Sequence, residues 1–500
     1  MSYRLVEARV QTDTDFDTTD VIETGRLVTA RGSLRLAPPN QSITGTSGII
    51  AQATFELDNS DDRFSSLITT GPIYAEISGG QLYRLPVKIE VQISGGGWVR
   101  IFGGVAKIPK NRTLAPGQPK TIQFDCRGNE ERILNLRVST GQSDFVDNHA
   151  AGWNESEYIY DMLINVVGLG VDEIDLDTGT TVIPFFWADE DSPIEACWRL
   201  AAAAGGHFYC QKNGLFTYRN KSAWLTNTRS TTVQKTFTRA DFENLTVYYD
   251  DNDLASKVQA QASLYEIAES DTLWSAREPL TIPAGETVTV WANFNNPAYS
   301  IEAVSYVARS AGGTDLSASI TLTETWYAQR MKLEFENAHA TLAAIISSLE
   351  ITGQAVELAE RITIDRESAS TFWTGGNPNR APNTLPQRIS NPWVQSRAQA
   401  ESLANFVLGR QEVPQLYAVV SGTQGSPELE IGDLVTVDDS ELMSSSHDFI
   451  VIGIDWSVSP SSGFRQDLLL VSKEGLYPHS PDGYFILSDS LLGGTKMLFY

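Results

Sequence analysis

Residues 51–67, AQATFELDNSDDRFSSL, decide how this chain is read. Phe55 and Leu57 alternate with polar neighbours, the period of a half-buried strand. The run breaks at Asn59, Ser60, Asp61 and Asp62, whose short side chains bond back to the backbone and favour turns. Arg63 and Phe64 follow, a cation beside an aromatic anchor. Three more strand-like runs come next: PVKIEV (86–91), WVRIFGGV (98–105) and TIQFDC (121–126). Upstream, 5–10, 27–30 and 34–36 also read as strands, while Pro38, Pro39, Asn40 and 45–48 mark loops. A closed or nearly closed barrel is the economical way to hide so many strand edges.

The order of these elements resembles the N-terminal barrel of phage tail-tip and baseplate hub proteins. The residues that carry the resemblance are Asn59, Ser60, Asp61, Arg63 and Phe64, followed by a strand with phenylalanine and glycine at 102–104. A second stretch, DSPIEACWRLAAAAGGHFYCQKNGLFTYRN (191–220), is similar to the second domain of the same family. It reads as a helix opened by Ser192, Pro193 and Glu195 in a capping box with proline at the first helical position. The helix stops at Gly205-Gly206. A hairpin then turns at Asn213-Gly214. Before it, 154–167 places Ile159, Met162, Leu163, Val166 and Val167 on one helical face.

Strands return from about 241. Runs 244–249 and 255–262 read as a pair around the acidic turn 250–253. Runs 279–293, 301–308, 317–325, 330–335 and 344–352 follow at sandwich-like spacing. The start (TIPAGETVTVWANF) and end (SLEITGQAV) of this region resemble an insertion found in several tail proteins. Next come a helix over 396–411, with Ala400, Leu403, Ala404 and Val407 on one face, and strands at 415–420, 434–437, 449–456 and 466–471. The last three repeat the pattern of 86–91, 98–105 and 121–124, with IFGGVA and IVIGIDW the closest pair. The expected fold is therefore mainly β with a small α+β module. It comprises a first β-barrel over 1–135, the α+β module over 136–240 and a second β-barrel from 241–263 and 361–475. A β-sandwich over 264–360 is inserted in the second barrel, and a C-terminal apolar extension spans 476–500.

The extension, YPHSPDGYFILSDSLLGGTKMLFY, is too short to fold alone and strongly apolar. Packing on its own subunit and docking on a neighbour are both open. Tyr484, Phe485, Leu491, Leu492, Met497, Phe499 and Tyr500 are the candidates for an assembly interface.

Composition narrows the function. Apolar residues at 41% permit sizeable cores, and charged residues at 20% are too few for a disordered chain. Length allows roughly two to five domains. The formal charge of −25 argues against binding a phosphate backbone, which needs clustered Lys and Arg. It suits a passage that DNA must cross without sticking, a solvated acidic surface being the plainer alternative. Cys126, Cys197 and Cys210 have no metal-ligand spacing and read as buried thiols. The N-terminus lacks the apolar core of a signal peptide, and no run reaches the roughly 18 apolar residues of a membrane span. Synthesis in the host cytoplasm is the expectation, with no stable membrane anchoring.

Chemical motifs are scarce. His149, His207, His339, His447 and His479 lack metal-ligand spacing. There is no nucleophile elbow and no phosphate loop. Residues 13–17 imitate the start of a calcium loop, but Thr18 and Thr24 stand where glycine and glutamate are needed. No catalytic residue, cofactor or metal site is assigned, and the expectation is a non-enzyme. The family resemblance implies a homotrimeric hub of the distal virion tail, at the tail tip or baseplate. There, paired barrels make a pseudo-sixfold ring that adapts the tail tube to a threefold tip. Implied partners are the tail tube or distal tail protein ring, the tape measure protein and tail fibre or spike proteins, with DNA only in transit. The alternatives are a receptor- or carbohydrate-binding tail protein and a cell-wall or capsule hydrolase.

Overall fold

The computed structural model describes residues 6–12, 21–22, 26–36, 48, 50–62, 64–65, 69, 85–93, 96–111, 120–139, 152–250, 254–368, 386–424, 426–443 and 445–476. Within them the chain is mostly β. No helix among them is long and apolar enough to cross a membrane.

Two halves far apart in sequence build one large sheet. The first contributes, in sheet order, strands Leu27–Arg35, Gln52–Asp58, Thr121–Gly128, Trp98–Ala106, Leu85–Ile93 and Val6–Thr12. The second contributes Asn244–Asp250, Gln415–Gln424, Gly463–Ser472, His447–Ser459, Leu434–Asp438 and Val233–Thr238. Taken in chain order, these six-strand sets match one to one, while the first half carries two further short strands, Val21–Ile22 and Lys110–Asn111, without counterparts in the second. The halves differ at the last pairing, antiparallel in the first and parallel in the second. The likeness between IFGGVA and IVIGIDW thus belongs to equivalent strands.

The halves do not stand as separate closed barrels among the described residues. Among the described residues the sheet runs as an open path, and the first half joins the second where 30–35 pairs antiparallel with 453–458. Gly32 faces Trp456 across this joint and Ala53 on its other side. A Cβ on Gly32 would lie 2.4 Å from Trp456 Cζ2 and 2.8 Å from the Gln52 carbonyl. Arg35 forks onto Asp455, and the Leu36 N–H donates to the Ile452 carbonyl at 3.0 Å. Buried side chains follow the sheet: one cluster runs from Phe55, Ile89 and Phe124 to Phe237, Phe449 and Leu468. Pairing an outer strand of one half with a long strand of the other removes an edge that closure would otherwise have to hide.

A second core lies beside the sheet. Helices Glu155–Asp161, Pro193–Ala203 and Arg397–Gln411 pack there with the hairpin His207–Cys210 and Phe216–Arg219. Helix Pro193–Ala203 ends as its glycines suggest. Gly205 takes φ +73°, and the N–H groups of Gly205 and Gly206 donate to Ala202 and Ala201. Its start differs from expectation. Ser192 makes no side-chain cap; its hydroxyl instead donates to the Leu134 carbonyl at 2.9 Å, an orphan acceptor at the end of helix Glu130–Leu134. The true capping box is at Asn154 and Glu157.

Strand Lys257–Ile267 also belongs to this second core. It pairs with Ala344–Glu367 and Pro386–Ser390, whereas Asn244–Asp250 pairs with Gln415–Gln424, so the two do not form the expected hairpin. Val258, Ala260 and Ala262 alternate inward onto the module and hold the strand there. The 24-residue strand Ala344–Glu367 continues outward into a third core. There it backs the three-stranded sheet Thr287–Asn293, Arg330–Asn337 and Ile320–Trp326. Positions 264 and 360 therefore lie inside one antiparallel strand pair, not in loops.

Gly32→Val should destabilise the chain by about 1–3 kcal/mol through overpacking against Trp456. The neighbouring Ser33→Val should stay within about 0.5 kcal/mol. Urea unfolding of both variants checks the joint; equal midpoints would mean that Gly32 is not sterically required.

Candidate functional site

The turn that carries the sequence resemblance is a structural lock. Asn59 is 6% exposed; its side-chain oxygen accepts the Phe64 N–H at 2.9 Å, and its carbonyl accepts the Asp62 N–H at 2.9 Å. The Ser60 N–H donates to Asp58 Oδ1 at 2.9 Å. Arg26 grips both oxygens of Asp61 at 2.8 Å and lies over the Phe64 ring. Lys120 pairs with Asp62 at 2.8 Å. So held, Phe64 reaches the core edge-on to Phe124, which stacks on Phe55 at 4.7 Å. Asn59, Ser60, Asp61 and Phe64 thus act together to pin the turn to the core of the first half. Arg63 lies outside the described residues.

A second constellation ties the two halves to the module, at a hairpin tip whose sequence, Asn213-Gly214, marks only a turn. The hairpin tip is a three-residue loop with Gly214 at φ +88°, the arrangement of a type I turn followed by a left-handed glycine. Its backbone lies against the first half: Gly214 N would be 3.1 Å from a Cβ on Gly103. Arg100 donates to the Asn213 carbonyl at 2.8 Å, and Asn129 Nδ2 donates to the Gly214 carbonyl at 2.8 Å. The Lys212 ammonium turns the other way, onto the Pro427 and Leu429 carbonyls at 2.7 and 3.0 Å. Burial lowers its pKa to about 8, against the opposing pull of Glu430 and Asp433. Asp433 is itself held by Arg229 at 2.6 Å. No spacing rule marks Arg100 or Asn129, because their partners are backbone carbonyls 113 and 85 residues away.

Glu130 seals the same junction. It is fully buried, and its Oε1 accepts the Cys210 N–H at 2.9 Å. Gly128 lies close beside it: a Cβ there would lie 2.1 Å from Oε2, so the carboxylate would have to shift. Burial raises the Glu130 pKa to about 7, partly offset by its own N–H and that of Cys210.

The other polar candidates serve packing. His207 stacks on Trp224 at 4.9 Å, and burial with the nearby Arg410 charge lowers its pKa to about 3. His339 accepts the N–H groups of Thr341 and Leu342 in a turn. Cys126, Cys197 and Cys210 are buried free thiols. No group of three or more His, Cys, Asp or Glu among the described residues is placed to hold a metal ion. Two large aromatics of the outer sheet are partly exposed, Trp291 and Trp326. Arg330 lies over the Trp291 ring at 5.2 Å and also reaches Asp189, Glu190 and Ser139, so one ring face is already covered. Trp326 donates to Glu324 at 3.0 Å two residues back. Residues 13–17 and 251–253 lie outside the described residues. So do the proposed interface residues Tyr484, Phe485, Leu491, Leu492, Met497, Phe499 and Tyr500.

No protein-family model matches the chain, and no curated protein matches it by sequence. Solved structures similar to it include phage-type tail proteins. A tail protein from Neisseria meningitidis is 10% identical with a TM-score of 0.49, covering 95% of this chain and 98% of that one. A 43 kDa prophage tail protein from Shewanella oneidensis is 12% identical with a TM-score of 0.46, covering 94% and 99%. An Escherichia coli type VI secretion component, described as structurally similar to T4 tail proteins, is 6% identical with a TM-score of 0.39, covering 89% and 73%.

Asn59→Ala strands the buried Phe64 N–H and should cost about 1–3 kcal/mol, seen as a lowered thermal midpoint. For Glu130 the folded-state pKa of about 7 exceeds the unfolded 4.5, so its contribution is complete below pH 4.5 and fades as pH rises through 7. Stability of the wild type minus that of Glu130→Gln should therefore fall across that window. A flat difference would mean that Glu130 does not titrate there.

Proposed function

We infer that this chain is a structural, non-enzymatic subunit of a phage tail or a related injection machine, acting as the hub of its distal end. One observation carries the reading: two halves whose six main strands share one order, joined edge to edge in one sheet. A chain that repeats one sheet unit twice offers two quasi-equivalent positions per copy. Three such copies give six, the number needed to meet a sixfold tube with a threefold part. In this proposal the two halves are the barrel-like units of the ring, and 264–360 is an outward sandwich carried by the strand pair that crosses its boundaries. The formal charge of −25 suits a conduit wall past which DNA moves without adhering. The partners are a homotrimer, the tail tube or distal tail ring, the tape measure protein and fibre or spike proteins. The segment 476–500, with Tyr484, Phe485, Leu491, Leu492, Met497, Phe499 and Tyr500, is assigned to contacts with a neighbour.

Electron microscopy tests this directly. Purified protein should give class averages with threefold symmetry and a central opening. Gold-labelled antibody against the chain should mark one end of tail particles. Label along the tail shaft, or none on particles, would overturn the assignment.

A further inference from the structure

We propose that the cleft between residues 180–182, Lys221 and the first half of helix Arg397–Gln411 binds a carboxylate group. Its volume is about 510 Å³, inside the roughly 300–1,000 Å³ range of ligand pockets.

The cleft is built on a buried acid. Glu155 is fully buried, and its carboxylate accepts the N–H groups of Thr180 and Thr181 at 2.7 and 2.8 Å. It also accepts the Tyr218 hydroxyl at 2.7 Å. These bonds fix the backbone at 180–181 as one wall. Lys221 is partly buried, and its Nζ donates to Ser402 Oγ at 2.9 Å, tying the module to the helix that forms the other wall. Burial lowers the Lys221 pKa, against the opposing pull of Glu155. An ammonium stripped of part of its hydration gains more from an anion than one in open water does.

The neutral polar groups of the lining have spent acceptors and still hold donors. Asn405 Oδ1 accepts Arg366 Nε at 3.1 Å, and Ser396 Oγ accepts the Gln399 N–H at 3.0 Å. Among the described residues, nothing accepts from Asn405 Nδ2 or from the hydroxyls of Thr180, Thr181, Ser396 and Ser402. Glu401 supplies no unmet charge, because Arg366 and Arg397 stand 3.3 and 3.5 Å from it.

A ligand that suits this lining brings acceptor oxygens and one negative charge. A single lysine beside Glu401 does not match a dianion. A nucleic-acid phosphodiester would have to enter the field of a chain with formal charge −25, which repels the rest of its backbone. A carboxylate spreads one charge over two oxygens with about four acceptor sites, which fits one ammonium among several neutral donors. Such a group comes from a small free acid or from a Glu or Asp side chain of a polypeptide, and the two sources differ in what flanks it.

Ligand-observed NMR on the full-length protein tests the site. Monomethyl glutarate serves as the free acid and acetyl-Gly-Glu-Gly-amide as the side-chain form. Wild type should bind at least one of them saturably, and the tighter of the two names the source. Uncharged dimethyl glutarate and the phosphodiester mimic dimethyl phosphate should bind more weakly than either acid that binds. Lys221→Met and Asn405→Asp should each weaken binding by about tenfold or more, with an unchanged circular dichroism spectrum. Asn405 is exposed, and an aspartate there still accepts from Arg366, so this variant carries the test if Lys221→Met misfolds. Saturable binding of neither acid would overturn the assignment. So would dimethyl glutarate or dimethyl phosphate binding as tightly as the acids, or an Asn405→Asp protein that binds like wild type.

Discussion

Everything in this molecule depends on one strand joint between residues more than 400 positions apart. When 30–35 pairs with 453–458, the two halves become one sheet over one continuous core. The tolerance is small, because Trp456 lies flat where any side chain at position 32 would stand. Closing such a long loop must be preceded by local structure in each half, since the entropy of closure is spent before the contact stabilises anything. Each half supplies that structure through short connections such as the one between Leu85–Ile93 and Trp98–Ala106.

The joint needs a brace, and the module provides it. The hairpin tip reaches both halves at once, offering the Asn213 and Gly214 carbonyls to the first and the Lys212 ammonium to the second. These are polar contacts in a largely buried setting, where an unpaired partner is costly and misplacement is therefore disfavoured. Glu130 works in the same way, fixing the start of a short helix against the hairpin strand. The buried polar groups described here set how parts meet. Arg330 plays a related role farther out, connecting the outer sheet to Ser139, Asp189 and Glu190.

Much of the local structure was legible. Alternation located most strands of both halves but missed Val233–Thr238; the glycine pair located the end of helix Pro193–Ala203, and the apolar face of Arg397–Gln411 was visible in its spacing. The lock at Asn59 could be read as a turn, although not as a hydrogen bond to Phe64. Misreadings arose where a distant group competed for a local one. Ser192 looked like a helix cap until the Leu134 carbonyl took its hydroxyl. The strands at 244–250 and 257–267 looked like a hairpin until each found a better partner elsewhere.

By itself, then, the sequence determined what depends on neighbours along the chain: which segments extend, which coil, where turns fall, and that two regions share a pattern. The tertiary structure alone decided which edges meet. A strand carries the same row of N–H and carbonyl groups on either side, so its sequence states how well it pairs but seldom with what. The choice of partner is settled by packing, by Gly32 beneath Trp456 and by Val258, Ala260 and Ala262 against the module. Those contacts exist only once the chain has folded.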